Sequence, residues 1–136
     1  MKKSPLVPSD LLRLVTAADP QCSAAGSVYY VRAWCDGEAD ENRTAIWRTA
    51  PGDGATQFTQ GPKDRLPRVN ADGSALAFVG QRDQKKRVYV MSLAHGGEAR
   101  AITPAYDAIG ALAWSPDGTA LAFTAKVMID AADARI

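Results

Sequence analysis

Ala71-Asp72-Gly73-Ser74-Ala75-Leu76-Ala77-Phe78-Val79 is answered downstream by Pro116-Asp117-Gly118-Thr119-Ala120-Leu121-Ala122-Phe123-Thr124. Gly73 and Gly118 stand 45 residues apart. Each copy is an Asp-Gly turn followed by an apolar run. Pro116 presets φ for the second turn position, and the glycines can take the positive φ that closes a tight hairpin. Asp72 and Asp117 suit the bonding of nearby backbone amides. A repeat of this length, with turn residues ahead of an apolar run, has the period of one four-stranded propeller blade.

Working outward from the first copy, a strand is expected to end near Val69 and a second to run from Ala75 to Val79. The polar run Gly80 to Lys86 reads as a hairpin loop. Arg87 to Leu93, rich in β-branched and aromatic residues, reads as a third strand. His95-Gly96-Gly97 turns the chain, and Ala99 to Thr103 reads as the fourth strand. The second copy supplies Gly110 to Trp114 and Ala120 to Ala125, with Lys126 to Ile136 leading on. A degenerate copy, Cys22 to Val31, puts Gly26 in the glycine slot. Ala45 to Thr49 would be its third strand and Ala55 to Thr59 its fourth. Upstream, Ser9 or Asp10 can cap a helix of about two turns through Leu11, Leu12, Leu14 and Val15. Asp19-Pro20 then opens the strands. The expected fold is all-β: an incomplete β-propeller of about two four-stranded blades plus the first hairpin of a third, with a short N-terminal helix. The expected division is a lead-in over 1–18 and a partial propeller over 19–136, with blades over about 19–61, 62–105 and 106–136. A closed propeller needs typically 4–8 blades, so this stretch cannot close a ring, and its end blades would expose apolar faces.

The 136 residues are 46% hydrophobic and 23% charged, with a net charge of +1. That composition is ordinary globular protein. The charge balance argues against a nucleic-acid partner or an anionic membrane surface. No segment has the roughly 18 apolar residues of a membrane span. Met1-Lys2-Lys3-Ser4-Pro5 is interrupted by prolines before a signal-peptide core forms, so a cytoplasmic location is expected. Cys22 and Cys35 read as two small, partly buried thiols. Neither belongs to a Cys-x-x-Cys pair, which argues against zinc.

With the repeats in place, the chain resembles the N-terminal β-propeller of the prolyl oligopeptidase family of serine peptidases, on the acylaminoacyl-peptidase side. The resemblance runs from Leu11 to Ala125. It is carried by Asp19-Pro20, Ile46-Trp47, Thr59-Gln60-Gly61-Pro62-Lys63-Asp64 and Pro67-Arg68. The Ala71-Asp72-Gly73 turn, Ala77-Phe78-Val79, Arg82-Asp83, Val88-Tyr89-Val90-Met91, Gly96-Gly97-Glu98-Ala99-Arg100 and Thr103 continue it, and Trp114-Ser115-Pro116-Asp117-Gly118 and Leu121-Ala122-Phe123 complete it. The first two blades lack the full Trp-Ser-Pro-Asp-Gly phrase. The resemblance implies a non-catalytic propeller that caps a C-terminal α/β-hydrolase domain bearing a Ser-Asp-His triad and gates peptide access to it. It also implies oligomer contacts, so a homo-oligomer is compatible with it. The alternative function is a TolB-like propeller module for protein–protein interaction.

The residues themselves offer no catalytic constellation. A nucleophile elbow needs Gly-x-Ser-x-Gly, and no such pentapeptide occurs. The single histidine, His95, reads as an exposed turn residue rather than a general base. Asp36, Glu38, Asp40, Glu41 and Asn42 form an acidic loop without the glycine and terminal glutamate of a calcium loop, and read as solvated. Arg82, Lys85, Lys86 and Arg87 read as a solvated basic loop. Trp34, Trp47, Trp114, Tyr89, Phe78 and Phe123 are expected to pack between blades. No catalytic, cofactor-binding or metal-binding residue is therefore assigned, and no cofactor is expected.

Overall fold

The two Asp-Gly turns fold alike, and their hydrogen bonds show why the phrase recurs. The structure is a computed structural model that describes residues 4–127. In the first turn Gly73 N–H donates to the Asn70 carbonyl (3.0 Å) and Asn70 N–H to the Ala75 carbonyl (3.1 Å). The Asn70 Oδ1 accepts from Ala75 N–H (3.0 Å), and Asp72 Oδ1 accepts from Ser74 N–H (2.9 Å). In the second, Gly118 N–H donates to the Ser115 carbonyl (2.9 Å) and Ser115 N–H to the Ala120 carbonyl (2.8 Å). Ser115 Oγ and Asp117 Oδ1 take the places of the Asn70 and Asp72 acceptors. The degenerate copy has the same form: Gly26 N–H donates to the Ser23 carbonyl, and Ser27 N–H to Ser23 Oγ. Gly26, Gly73 and Gly118 have φ of +87°, +75° and +73°, a region that a Cβ makes costly.

Each turn joins the first two strands of an antiparallel sheet. The first sheet is β1 (Val15–Cys22), β2 (Val28–Asp36), β3 (Glu41–Thr49) and β4 (Thr56–Gln57), in chain order. The second repeats this plan with β5 (Arg65–Val69), β6 (Ala75–Arg82), β7 (Lys85–Ser92) and β8 (Arg100–Ala101). The third is the hairpin of β9 (Ile109–Trp114) and β10 (Leu121–Ala125). The first strands lie side by side, β1 against β5 and β5 against β9. This is a partial β-propeller of two four-stranded blades and a further hairpin.

Period-2 alternation in the middle sheet makes it a shared core. Ala77 and Val79 of β6 and Val88 of β7 face the third sheet, where they pack on Ile109 and Leu112. Leu76 and Phe78 face the first sheet and pack on Tyr29 and Ile46. All of these except Tyr29 and Leu112 are at most 1% exposed. A sheet buried on both faces reads as a continuous apolar run, which is why Leu76 to Val79 shows no polar alternation.

Several expectations are corrected. The lead-in is a 3-10 helix, Pro8–Arg13, rather than an α-helix reaching Val15. Asp10 accepts from Val7 N–H (2.9 Å) and pairs with Arg13. Val15 already belongs to β1, so the strand begins ahead of Asp19-Pro20 instead of at it. There the ladder shifts register between Ala18 and Gln21, and Asp19 takes φ +51°. Proline has no N–H to give a ladder, so a bulge accommodates it. The expected loop from Gly80 to Lys86 is a two-residue turn: Arg82 pairs with Lys85, and Asp83 and Gln84 have φ +53° and +62°. Two left-handed residues make the tight turn that suits strand twist. The fourth strands are two residues each. Lys126 N–H donates to the Ala108 carbonyl, and the expectation for Met128 to Ile136 lies outside the described residues.

Candidate functional site

Thr59 to Asp64 carries the chain from the first sheet to the second, and it builds a buried polar site. Asp64 has no exposed surface. Its Oδ2 accepts from Gly61 N–H (2.8 Å) and its Oδ1 from Arg82 Nη1 (3.1 Å). Burying a carboxylate is costly unless it is paired and hydrogen-bonded, and here both oxygens are met. Arg82 in turn lies over the Tyr89 ring, 5.3 Å from its centroid, and Tyr89 stacks on Phe78 at 5.6 Å. Gly80 makes that stack fit. A Cβ there would stand 2.9 Å from Tyr89 Cε2 and 3.2 Å from Arg82 Nη1.

Beside this stack is a cleft of about 400 Å³ between the outer strands of the two blades. Phe58, Phe78, Tyr89, Met91 and Ala99 form its apolar wall, and Arg82, Gln60 and Glu98 its polar rim. Its back is fixed by Thr59, whose Oγ1 accepts from Ile46 N–H (3.0 Å). The second blade has the same device: Thr103 Oγ1 accepts from Val88 N–H (3.0 Å). In the sequence, both threonines and Asp64 stand among the residues of the resemblance, with no structural role assigned to them. The available signal was the recurrence of a threonine at the end of each fourth strand.

A different cluster ties the three first strands together. Arg68 Nη1 donates to Asp19 Oδ2 (2.8 Å), and its Nε donates to the Leu112 carbonyl (3.1 Å). Trp114 Nε1 donates to the Arg68 carbonyl (2.8 Å), and Arg65 bonds the Ile109 carbonyl. This clasp spans all three sheets and pairs Arg68 with Asp19.

The remaining sequence candidates disperse. His95 is exposed in its turn, its backbone N–H donating to Ser92 Oγ (3.2 Å). In the acidic loop Asp36 accepts from Glu38 and Ala39 N–H and stands 3.0 Å from Arg43 Nε. It is a turn former. The basic loop is not simply solvated. Arg82 pairs with Asp64, Lys85 pairs with Asp107 (2.9 Å), and Lys86 Nζ donates to the Asp107 carbonyl (2.8 Å). Lys85 holds the Asp107 carboxyl below its usual value.

Phe78, Tyr89, Trp114 and Phe123 pack between sheets as expected. Trp34 and Trp47 do not. They lie on the outward face of the first sheet, half-exposed, with Arg32 4.0 Å over the Trp47 ring and Leu12 and Val15 nearby. Alternation is the reason: Ile46 points to the second sheet, so Trp47 points away from it. Cys22 is exposed rather than partly buried, Cys35 is half-buried, and both are free thiols. Among the described residues no group of three or more His, Cys, Asp or Glu could hold a metal. No described helix is long and apolar enough to cross a membrane.

Comparison with known proteins agrees with this architecture. No family model matches the chain. It is 33% identical over 132 residues to an uncharacterized peptidase, YuxL, of Bacillus subtilis, covering 93% of this chain and 20% of that protein. Among solved structures it resembles the β-propeller domain of the Trilobed protease from Pyrococcus furiosus, described as having an open velcro topology. There the TM-score is 0.69 at 17% identity, over 82% of this chain and 34% of that one. An acylaminoacyl peptidase solved with Z-Gly-Gly-Phe-chloromethyl ketone gives 0.68 at 18% identity, over 80% of this chain and 17% of that one. The acylaminoacyl peptidase of Pyrococcus horikoshii gives 0.67 at 19%, over 79% and 17%. The chain thus spans about a fifth of the curated relative's length and between 17% and 34% of these solved chains.

Proposed function

We propose that this chain is the propeller portion of a serine peptidase of the prolyl oligopeptidase family, acylaminoacyl-peptidase-like, with no chemistry of its own. One observation carries the reading. Nearly the whole chain matches a peptidase of which it makes up one fifth, so the matched part is one module of a larger protein. The propeller domains of acylaminoacyl peptidases, similar in fold, support it.

In the whole enzyme the catalytic partner is a separate α/β-hydrolase domain, and the propeller restricts which peptides reach it. The physical basis is rigidity. The middle blade, buried on both faces and clasped to its neighbours by Arg68, cannot splay from them without exposing Ile46, Phe78 and Val88 to water, which costs about 1.5–3 kcal/mol for each large side chain. A wall of that kind excludes bulky substrates by shape. Catalysis is assigned elsewhere because the sequence has no Gly-x-Ser-x-Gly elbow to hold a nucleophile for the exposed His95. On this reading the chain divides into a lead-in and three blade units, with junctions near residues 61–62 and 105–106.

The test is the natural product itself. An antibody to this chain and a fluorophosphonate probe for activated serines are applied to source cells. One band several times heavier than 14.5 kDa that carries both signals is the expected result. A 14.5 kDa band without the probe would overturn the reading in favour of a binding module.

A further inference from the structure

We infer that Asp53-Gly54, in the loop from β3 to β4, is a site of spontaneous backbone modification, where aspartate converts to isoaspartate through a cyclic imide. The inference stands on the geometry of the turns and does not depend on the peptidase reading.

Asp-Gly pairs occur at Asp36-Gly37, Asp53-Gly54, Asp72-Gly73 and Asp117-Gly118. The chemistry is the same at each. The glycine amide nitrogen attacks the aspartyl Cγ. The N–Cγ bond forms, and the carboxyl OH departs with the amide hydrogen as one water. Water then adds to either imide carbonyl. The ring opens to aspartate or to isoaspartate, whose main chain runs through the side chain and is one methylene longer. No oxidant or other reactant takes part. The reaction needs a glycine amide that is not already bonded, a carboxyl that can hold a proton, and a chain free to bring the two together.

The fold withholds these conditions at three of the pairs. Gly73 N–H and Gly118 N–H are committed to the Asn70 and Ser115 carbonyls. Asp72 Oδ1 accepts from Ser74 N–H (2.9 Å). Asp117 Oδ1 accepts from Ser115 Oγ (2.6 Å), Thr119 N–H (3.1 Å) and Thr119 Oγ1 (2.8 Å). Donors of this kind favour the ionised carboxylate. With the Ser74 and Ser115 hydroxyls leading, both carboxyls lie below their ordinary value. An ionised carboxylate has no OH to lose. Asp36 accepts from Glu38 and Ala39 N–H and faces Arg43.

Asp53 has no such restraint. Its N–H donates to the Ala50 carbonyl (3.0 Å), closing a turn with Pro51 second and Gly52 third at φ +81°, as in a type II turn. Past that bond the chain is unanchored. Among the described residues neither Gly54 N–H nor the Asp53 carboxylate has a hydrogen-bond or ion-pair partner, and residues 51–57 are exposed. A Cβ on Gly54 would meet nothing within 4 Å. The added methylene would fall just ahead of β4, separated from it by Gly54 and Ala55.

The full natural polypeptide containing this sequence is held folded in mildly acidic heavy-oxygen water. It is then digested in ordinary water and mapped by fragmentation mass spectrometry that distinguishes isoaspartate from aspartate. The expected result is isoaspartate carrying one heavy oxygen at residue 53, at least fivefold more than at 36, 72 or 117. In urea the four rates should converge to within twofold, because every pair is Asp-Gly. Gly54→Ala shields the attacking nitrogen at a position whose φ lies outside the left-handed region, and should slow conversion at least fivefold. No conversion at residue 53, conversion at another pair within fivefold of it, product without heavy oxygen, an undiminished preference in urea, or a rate indifferent to Gly54→Ala would each overturn the assignment.

Discussion

Asp64 and Asp117 are both carboxylates at chain turns, and they work in opposite environments. Asp64 is wholly buried between Gly61 N–H and Arg82. Asp64→Ala would orphan both donors. Breaking a buried pair costs about 3–5 kcal/mol. Because Arg82 is partly exposed, about 2–3 kcal/mol is expected here, read as a lower urea midpoint, with Asp64→Asn losing less. Asp117 is fully exposed, yet the Ser115 hydroxyl, followed by the amide and hydroxyl of Thr119, lowers it from 3.8 to about 2. A depressed carboxylate pKa means a contribution that is complete above the ordinary value and lost as pH falls through the folded one. The turn should therefore remain closed at pH 3 and open near pH 2. A carboxyl titration by NMR with a midpoint at 3.8 or above would contradict it. Asp72 is lowered in the same direction, first by the Ser74 hydroxyl.

At the scale of elements, the fourth strands are informative because they are so short. Two ladder residues cannot hold a strand to its sheet, and each blade adds a threonine clamp just beyond: Thr59 on Ile46 N–H and Thr103 on Val88 N–H. Ile46 and Val88 are fully buried, so neither amide can turn to water. Thr103→Val should cost about 1–3 kcal/mol, the penalty for a buried donor left unmet, and Thr103→Ser should recover most of it. Chemical denaturation and faster exchange of the Val88 amide would report the loss. Turn chemistry placed the hairpins correctly from residues alone: Gly73, Gly118 and even the degenerate Gly26 close the turns expected of them. The tight Arg82–Lys85 hairpin was hidden, because Asp83 and Gln84 reach positive φ without a glycine to announce it.

On the scale of the molecule, the middle blade is buried on two faces, while the outward faces of the first and third sheets are open. The first presents half-exposed Trp34 and Trp47, and the third small residues such as Ala111, Ala113 and Ala122. Blades are stable through their neighbours, so the isolated 136-residue polypeptide should self-associate as its concentration rises. Sedimentation velocity should show species above 14.5 kDa, and Trp34→Glu should reduce them. A concentration-independent monomer that binds no hydrophobic dye would contradict this. The sequence by itself determined the repeat, the turns and the all-β plan, because Asp-Gly geometry and β-branched runs act within a few residues of chain. Only the tertiary structure decided which aromatics are core, that Asp64 reaches Arg82 across 18 residues, and that a cleft opens between two blades. Those outcomes depend on which face each strand turns toward its neighbouring sheet, and long-range packing sets that where local propensity is silent.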